Sequence, residues 1–286
     1  MITSFVRYLN RGARQQLPVS DEPSLTDPVS QACTQSQMAE AAYAYWCSQL
    51  FEEPKTHRKQ WEYCYILQAL ARGGKIAPGL RGLGFGVGSE PLTALFASRG
   101  IEVLATDLEP EQAHQSGWVE TAQHASSKKV LNDRGICPPD AFERLVDFAF
   151  LDMNKIPPQI RGFDFCWSAC ALEHLGSIKN GLRFIERSLD CLNPGGIAVH
   201  TTEFNCSSDG DTLDNASTVL FRKCDFVGLA KRLRASGHEV VLNFETGGLP
   251  LDRHIDLPPY GFENHLKLQI ERWVSTSFGF IVRKGA

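Results

Sequence analysis

The chain lacks several features that would assign it to a class of protein at once. None of its 286 residues lie in an apolar run long enough to predict a transmembrane helix, and the first twenty residues lack the apolar core of a signal peptide. Positive charge is not in excess either, because 29 Lys and Arg stand against 33 Asp and Glu. These absences predict a cytoplasmic protein that binds neither membranes nor nucleic acids.

Paired cysteines are also missing. The nine cysteines are scattered, odd in number and without a CxxC pair. This distribution is typical of reduced thiols in the cytosol and indicates neither a disulfide framework nor a zinc site, so we expect no bound metal. A hydrophobic content of 43% is enough for one well-packed domain with an extension.

The first part of the chain predicts an N-terminal extension, residues 1–73. Residues 1–35 are polar and interrupted by prolines, so we expect an irregular arm there. Two helices are predicted after it, Ser36–Leu50 and about His57–Gly73, the second ending at a glycine pair. They either form a lid over a ligand pocket or simply cover one face of a sheet, and the sequence does not decide between these.

Residues 74–286 predict an α/β domain in which short apolar strands alternate with helices. Such alternation indicates a doubly wound, mostly parallel, Rossmann-like sheet. After a helix predicted at Lys223–Ser236, two late strands follow without a helix between them, which predicts an antiparallel hairpin at the sheet edge and seven strands in all. The predicted strands are Gly82–Phe85, Glu102–Thr106, Asp147–Leu151, Phe163–Trp167, Gly196–Thr201, Glu239–Phe244 and Trp273–Lys284.

A glycine-rich turn follows the first of these parallel strands and indicates a nucleoside site. Gly84, Gly86 and Gly88 let the backbone approach a ligand, and Asp107 at the end of the next strand can accept hydrogen bonds from ribose hydroxyls. Glu90 at the mouth of the turn would repel a phosphate, so it favours a cationic or zwitterionic ligand. Alternatively, Glu90 is a solvated acid in the first turn of a helix.

Polar and small residues also follow the third and fourth parallel strands, at the sheet edge where such folds bind ligands. Asp152 can accept a hydrogen bond from an exocyclic amine, with Met153 as an apolar surface beside it, or it is a helix cap. Ser168 and Ala169 are small enough for a ligand to pass close to the backbone. Glu173 and His174 come next, facing the pocket or forming a capping pair.

Further candidate bases come later in the chain. The segment HTTEFN follows the fifth strand and offers His200 and Glu203 at the same sheet edge. His254 lies in a proline-rich loop near the C-terminus. Each of these residues is alternatively an ordinary loop residue or part of a structural ion pair.

The order of segments LGFGVGSEPL, ATDLEP, FLDMNKIP, FCWSACALEHL and LNPGGIAVHT resembles the class I S-adenosylmethionine-dependent methyltransferases. The resemblance implies a cofactor site in which the glycine turn holds the methionine portion, Asp107 the ribose and Asp152 the adenine. The family usually has an acid where this chain has Gly82, so Glu90 is our candidate partner of the cofactor ammonium. The implied cofactor residues are Gly84, Phe85, Gly86, Gly88, Glu90, Asp107, Leu108, Asp152, Met153, Ser168, Ala169 and Glu173.

The expected reaction is methyl transfer from S-adenosylmethionine to a hydroxyl, with an amine as second choice, of a small-molecule or saccharide-like acceptor. The candidate catalytic bases are His174, His200, Glu203 and His254. Two alternatives remain at this point: an enzyme that cyclises or eliminates the methionine portion of the same cofactor, and a non-catalytic cofactor-binding module. The sequence predicts no oligomeric state.

Overall fold

A computed structural model describes residues 22–111, 124–261 and 264–286. Within these ranges we number the elements in chain order. The helices are α1 Gln35–Met38, α2 Ala41–Gln49, α3 Arg58–Arg72, α4 Leu92–Ser98, α5 Pro139–Leu145, α6 Ile178–Ser188 and α7 Lys223–Ala235. The strands are β1 Ser30–Ala32, β2 Arg81–Phe85, β3 Glu102–Asp107, β4 Val146–Phe150, β5 Phe163–Ala169, β6 Leu192–Asn205, β7 Leu242–Asn243, β8 Ile255–Asp256, β9 Lys267–Ile270 and β10 Trp273–Arg283.

The strands form one mixed sheet, which confirms the predicted Rossmann-like α/β class. Its order is β4-β3-β2-β5-β6-β10-β1-β7, and β9 and β8 extend it from β10. The pairs among β4, β3, β2, β5 and β6 are parallel, whereas β10 is antiparallel to β6 and to β1. In the described residues the sheet has ten strands rather than seven, because β1, β8 and β9 were not foreseen.

Both faces of the sheet are covered, which explains why its strands are continuous apolar runs. Alternate residues of β5 belong to two separate cores: Trp167 packs with Trp61 and Phe96, and Cys166 packs with Phe184. Helices α3 and α4 supply the first core, and α6 and α7 supply the second. The predicted arrangement of layers is therefore present.

The predicted edge hairpin is wrong in detail, because β1 lies between its two strands. Ser30–Ala32 pairs antiparallel with β10 and parallel with β7, and all three residues are buried. Among the described residues, the two predicted late strands meet at a single bridge, between Glu239 and Arg283. The expected irregular arm is thus wrong for this segment, since three residues near prolines carry too little pattern to predict a strand.

Helix α3 covers one face of the sheet, which was one of the two roles left open for the N-terminal helices, and the lid role stays a prediction. It begins at His57, whose Nδ1 accepts a hydrogen bond from the Lys59 backbone N–H at 3.1 Å, and it buries Trp61 and Tyr65 against the sheet. A Cβ on Gly279 of β10 would lie 2.0 Å from the Tyr65 ring, so glycine permits this close packing. The other face of its first turns reaches a cavity, described next.

No helix in the described ranges has both the length and the apolar character needed to cross a bilayer.

Candidate functional site

One cavity of about 340 Å³ lies where β2, β3 and β5 end. It is lined by two groups of residues, which we name by their origin. The turn group comprises Gly86, Val87, Gly88, Ser89, Glu90, Asp107, Leu108, His124, Leu151, Asp152, Met153 and Asn154. The helix group comprises Lys59 and Tyr63 of α3 with Ala169, Cys170, Ala171, His174 and Leu175, which follow or end β5.

The glycine turn needs glycine for its backbone shape and for the space beside it. Gly86 and Gly88 have φ angles of +57° and +50°, a region that other residues rarely adopt. A Cβ on Gly86 would lie 2.9 Å from the Ala171 Cβ and 3.4 Å from the Met153 sulfur. A ligand can therefore approach this backbone more closely than any side chain would permit.

Gly84 and Phe85 support the turn from within β2 and do not line the cavity. A Cβ on Gly84 would lie 2.5 Å from the Trp167 ring, and Phe85 is completely buried. The Gly84 carbonyl oxygen accepts a hydrogen bond from Thr106 of the next strand at 2.7 Å. Gly84 is thus required by sheet packing.

Asp107 ties the end of β3 to the glycine turn. Its Oδ2 accepts hydrogen bonds from the backbone N–H groups of Gly88 at 3.0 Å and Ala125 at 2.9 Å, and Oδ1 accepts one from Leu108 at 2.7 Å. Burial raises the pKa of Asp107, although these hydrogen bonds oppose the shift. Because a carboxylate oxygen has two lone pairs, Oδ1 retains an acceptor position for a ligand hydroxyl.

Asp152 caps a short helical turn, which was one of the two roles weighed for it, and it also lines the cavity, where its ligand role stays a prediction. Its Oδ1 accepts a hydrogen bond from the Asn154 backbone N–H at 2.8 Å. Met153 beside it is buried and places its thioether against the glycine turn. Together they give the cavity one polar and one apolar surface next to Asp107.

Glu90 is a buried carboxyl group of the cavity wall. Trp167 Nε1 donates a hydrogen bond to it, and burial raises its pKa to about 8. The chain cannot hold an acid at Gly82 instead, because a Cβ there would lie 2.5 Å from the Phe165 ring. The aromatic residues of β5 therefore explain why the acid is missing from β2.

Lys59 and Tyr63 are two cavity residues that sequence reasoning missed. They stand one turn apart on α3, and the Lys59 ammonium lies 3.2 Å from Glu62 Oε2 and 3.3 Å from the Ala169 carbonyl oxygen. Their i, i+4 spacing places them on one face of α3 and was a signal, but the same pattern is typical of a solvated face. Only the fold brings α3 to the end of β5.

His174 is the one of the four candidate bases that lines the cavity. Its Nδ1 lies 2.8 Å from the Ser217 carbonyl oxygen, and burial lowers its pKa to about 4. Glu173 lies behind it, only 1% exposed, and accepts a hydrogen bond from Thr202 at 3.0 Å. Burial raises the pKa of Glu173 to about 8, so both groups are uncharged at neutral pH.

The structure places the other three candidate bases away from the cavity lining. His200 is completely buried, with ring nitrogens 2.9 Å from Ser168 Oγ and 3.1 Å from Ser188 Oγ. Glu203 is 5% exposed and forms an ion pair with Arg58 at 2.5 Å. His254 is exposed just before β8. Ser168, predicted beside the ligand, instead holds His200.

Solved structures of similar architecture include methyltransferases from several organisms. A protein provisionally described as a sarcosine dimethylglycine methyltransferase from Galdieria sulphuraria is 13% identical, with 86% of this chain and 99% of that chain covered and a TM-score of 0.49. An S-adenosylmethionine-dependent methyltransferase from Clostridium acetobutylicum is 12% identical, with 80% and 92% covered and a TM-score of 0.44. No curated protein sequence matches the chain.

Residues 83–200 match the sequence model of a family described as a methyltransferase domain. This range contains the whole turn group, most of β2 and all of β3 and β4. The cavity fits S-adenosylmethionine, since a glycine cradle, a ribose-type carboxylate and a paired polar and apolar surface meet in it. The predicted resemblance is confirmed over this range: residues 83–200 are similar to a methyltransferase domain, and the chain is an enzyme whose cofactor is S-adenosylmethionine.

Proposed function

We propose that the enzyme methylates a hydroxyl group of a small-molecule acceptor, saccharide-like compounds included, and that His174 accepts the hydroxyl proton. The position of His174 carries this proposal. A carbonyl oxygen only accepts hydrogen bonds, so the contact with Ser217 assigns the proton of the neutral ring to Nδ1. Nε2 then holds the lone pair and lies 3.8 Å from Glu173 Oε1, and the lowered pKa of about 4 keeps the ring neutral at physiological pH.

We further propose that the turn group binds the cofactor. Gly86 and Gly88 would hold the methionine portion, Asp107 and Leu108 the ribose, and Asp152 and Met153 the adenine. Ala169 would pass close to the ligand at the end of β5. Gly84, Phe85, Ser168 and Glu173 would support this site from behind, since none of them lines the cavity.

The charges in the helix group favour a hydroxyl over an amine. Lys59 contributes an ammonium to the cavity, and Glu173 behind His174 is protonated at neutral pH because burial raises its pKa to about 8. An amine acceptor is itself a cation at that pH, so at the helix group it would meet the like charge of Lys59, whereas the carboxylates of Asp107 and Asp152 lie in the turn group. A neutral hydroxyl avoids this repulsion.

The cofactor, when bound, supplies the electrophilic methyl group. The residues of this chain would align the acceptor, exclude water and hold the proton: α3 and the residues after β5 enclose the acceptor end, and His174 Nε2 takes the proton. We therefore expect His174→Gln to lower kcat about 10²–10³-fold while the Kd of S-adenosylhomocysteine stays within about twofold.

The test uses S-adenosylmethionine carrying an isotopically labelled methyl group and a panel of hydroxylated and aminated acceptors, with products identified by mass spectrometry. Label in an ether product together with S-adenosylhomocysteine supports the proposal. Methylthioadenosine would instead indicate cyclisation or elimination, and label in an amine would overturn the hydroxyl assignment. His254→Gln is the matched control, because His254 is exposed away from the cavity lining. An equal loss in both variants would contradict the role of His174.

A further inference from the structure

A second cavity, of about 350 Å³, lies between helix α6 and the short helical turn that follows β4. Met153 and Asn154 line both cavities, so the two are neighbours that share a wall. The helix group, which encloses the proposed acceptor end of the first cavity, does not line the second. The second cavity is therefore separate from the methyl-transfer centre.

The lining of this second cavity carries positive charge from two elements, and we call it the basic cavity. Arg183 and Arg187 stand one turn apart on α6, and Lys155 belongs to the turn after β4. The described residues that line it include no carboxylate, whereas the first cavity contains those of Glu90 and Asp107. Because the chain as a whole has a net charge of −4, this excess of cations is local.

Arg183 is the cation of the basic cavity that has no partner. Within the described ranges its guanidinium group forms neither a hydrogen bond nor an ion pair. The acid placed to pair with it on the helix, Glu186 at i+3, instead accepts a hydrogen bond from Arg232 at 2.7 Å. All the donors of Arg183 are thus available to a ligand.

The other two cations have partners that do not neutralise the cavity. Lys155 Nζ lies 3.4 Å from Asp152 Oδ2, and Arg187 Nη1 lies 3.3 Å from Asp190 Oδ2. Both cations are exposed, and ion pairs of this kind are weak, so a stronger anion can displace either carboxylate. Neither Asp152 nor Asp190 lines the basic cavity.

The donors of the basic cavity match a phosphate group. A phosphate monoester carries a charge of about −1.5 to −2 at neutral pH together with three acceptor oxygens, and planar guanidinium groups bind such oxygens in pairs. Met153 and Phe184 are buried and give the cavity an apolar wall, against which the organic part of a ligand can pack.

The size of the basic cavity favours a small molecule over a polymer or a membrane. Nucleic acids and anionic membranes bind to basic surfaces that extend over many phosphates. Here the cations surround one cavity of about 350 Å³, and cavities of this order hold small molecules.

We propose that the basic cavity binds the phosphate group of a small phosphorylated molecule through Arg183, Arg187 and Lys155. Its wall shared with the first cavity places this ligand beside the proposed position of the adenine. The two ligands occupy different cavities, so both are bound at once. The phosphate site does not depend on which acceptor the enzyme methylates.

The experiment measures the binding of phenyl phosphate by calorimetry at an ionic strength of about 0.15 M, with and without saturating S-adenosylhomocysteine. We expect a Kd on the order of 0.1 mM that S-adenosylhomocysteine changes by no more than about twofold. Benzoate has the same ring with a carboxylate in place of the phosphate, and it should bind at least about tenfold more weakly.

Variants of α6 connect the binding to the basic cavity. Arg183→Gln should weaken the binding of phenyl phosphate about tenfold, and its combination with Arg187→Gln about 100-fold. Both side chains are exposed, so their replacement leaves the core intact. Arg183→Lys should restore only part of the affinity, because an ammonium lacks the planar pair of donors. Lys179→Gln removes an exposed charge from the same helix outside the cavity lining and should bind like the wild type.

Several results would overturn the proposal. Equal losses in Lys179→Gln and Arg183→Gln would show only a general attraction between charges. Competition between phenyl phosphate and S-adenosylhomocysteine would place the phosphate in the first cavity. Equal binding of benzoate would refute the phosphate assignment. Displacement of phenyl phosphate by phosphatidic acid vesicles or by an oligothymidylate, at an equal concentration of phosphate groups, would refute the small molecule.

Discussion

The two groups of residues that line the cavity are built in different ways. The turn group acts largely through backbone shape and short-range contacts, such as the bonds from Gly88 and Leu108 to Asp107. The helix group depends on contacts between distant parts of the chain: Ser277, 215 residues from Glu62, donates a hydrogen bond to it, and Glu62 in turn lies 3.2 Å from the Lys59 ammonium. A site of local motifs can be recognised in many sequences, whereas a site of distant contacts is particular to one chain.

The largest effect that would test this difference is expected at Asp107. Asp107→Ala removes the ribose partner and also frees the backbone N–H groups of Gly88 and Ala125. We expect the Kd of S-adenosylhomocysteine to rise about 100-fold or more, because hydrogen bonds to charged groups are worth roughly 1.5–3 kcal/mol each. Calorimetry measures the change, with the exposed Asp133→Ala as control. Unchanged affinity would remove the turn group from the cofactor site.

The second prediction concerns the dependence of stability on pH in the helix group. Glu173 has a pKa of about 8 in the folded protein, whereas its ordinary pKa, taken for the unfolded chain, is 4.5. Between pH 4.5 and pH 8 the folded protein therefore holds a proton on Glu173 that the unfolded chain has lost. The stabilising effect is complete below about pH 4.5 and is lost as the pH rises through about 8.

The free energy of unfolding of the wild type should therefore fall between about pH 5 and pH 8.5. In Glu173→Gln this fall should be smaller by about 2 kcal/mol, because relaxation of the site reduces the full effect of the pKa shift. Urea unfolding at several pH values measures it. The control is Glu143→Gln, whose side chain is 80% exposed, and its profile should follow the wild type. If the unfolding free energy of Glu173→Gln fell with pH as steeply as that of the wild type, the Glu173 carboxyl group would be ionised in the folded protein.

The third prediction has the smallest expected effect and compares a glycine that lines the cavity with one that only needs a positive φ angle. Gly86 and Gly135 both have positive φ, at +57° and +65°, but a Cβ on Gly135 would have no neighbour within 4 Å. Each substitution by alanine should cost about 1–2 kcal/mol of stability. Only Gly86→Ala should also weaken binding of S-adenosylhomocysteine, by about tenfold, because its methyl group enters the cavity wall. Equal binding by the two variants would show that the ligand does not approach this turn.

The comparison also explains what could be predicted from the sequence. The parallel strands and the cavity residues from Gly86 to Met153 follow from local patterns, namely apolar runs, glycines at a turn and acids at strand ends. Strand β1 was missed because three residues carry no periodicity, and its place between β10 and β7 depends on pairing with residues more than 200 positions away.

The helix group was foreseen only in part, for a similar reason. His174 could be named from its position after β5, but His200 could not be distinguished from it, since both follow the same strand-end rule. His174 and His200 differ in the direction of their side chains. His200 lies within β6, and its ring nitrogens contact Ser168 and Ser188 in the core. Lys59 required knowledge of where α3 packs, which no short motif records.

The most direct test of the central claim is a crystal structure of the protein with S-adenosylhomocysteine. We predict that the nucleoside occupies the cavity with its ribose hydroxyls on Asp107 and its adenine beside Asp152 and Met153. The amino-acid end should lie against the turn at Gly86 and Gly88. Binding elsewhere on the protein, or a nucleoside in the cavity with its ribose away from Asp107, would contradict the account.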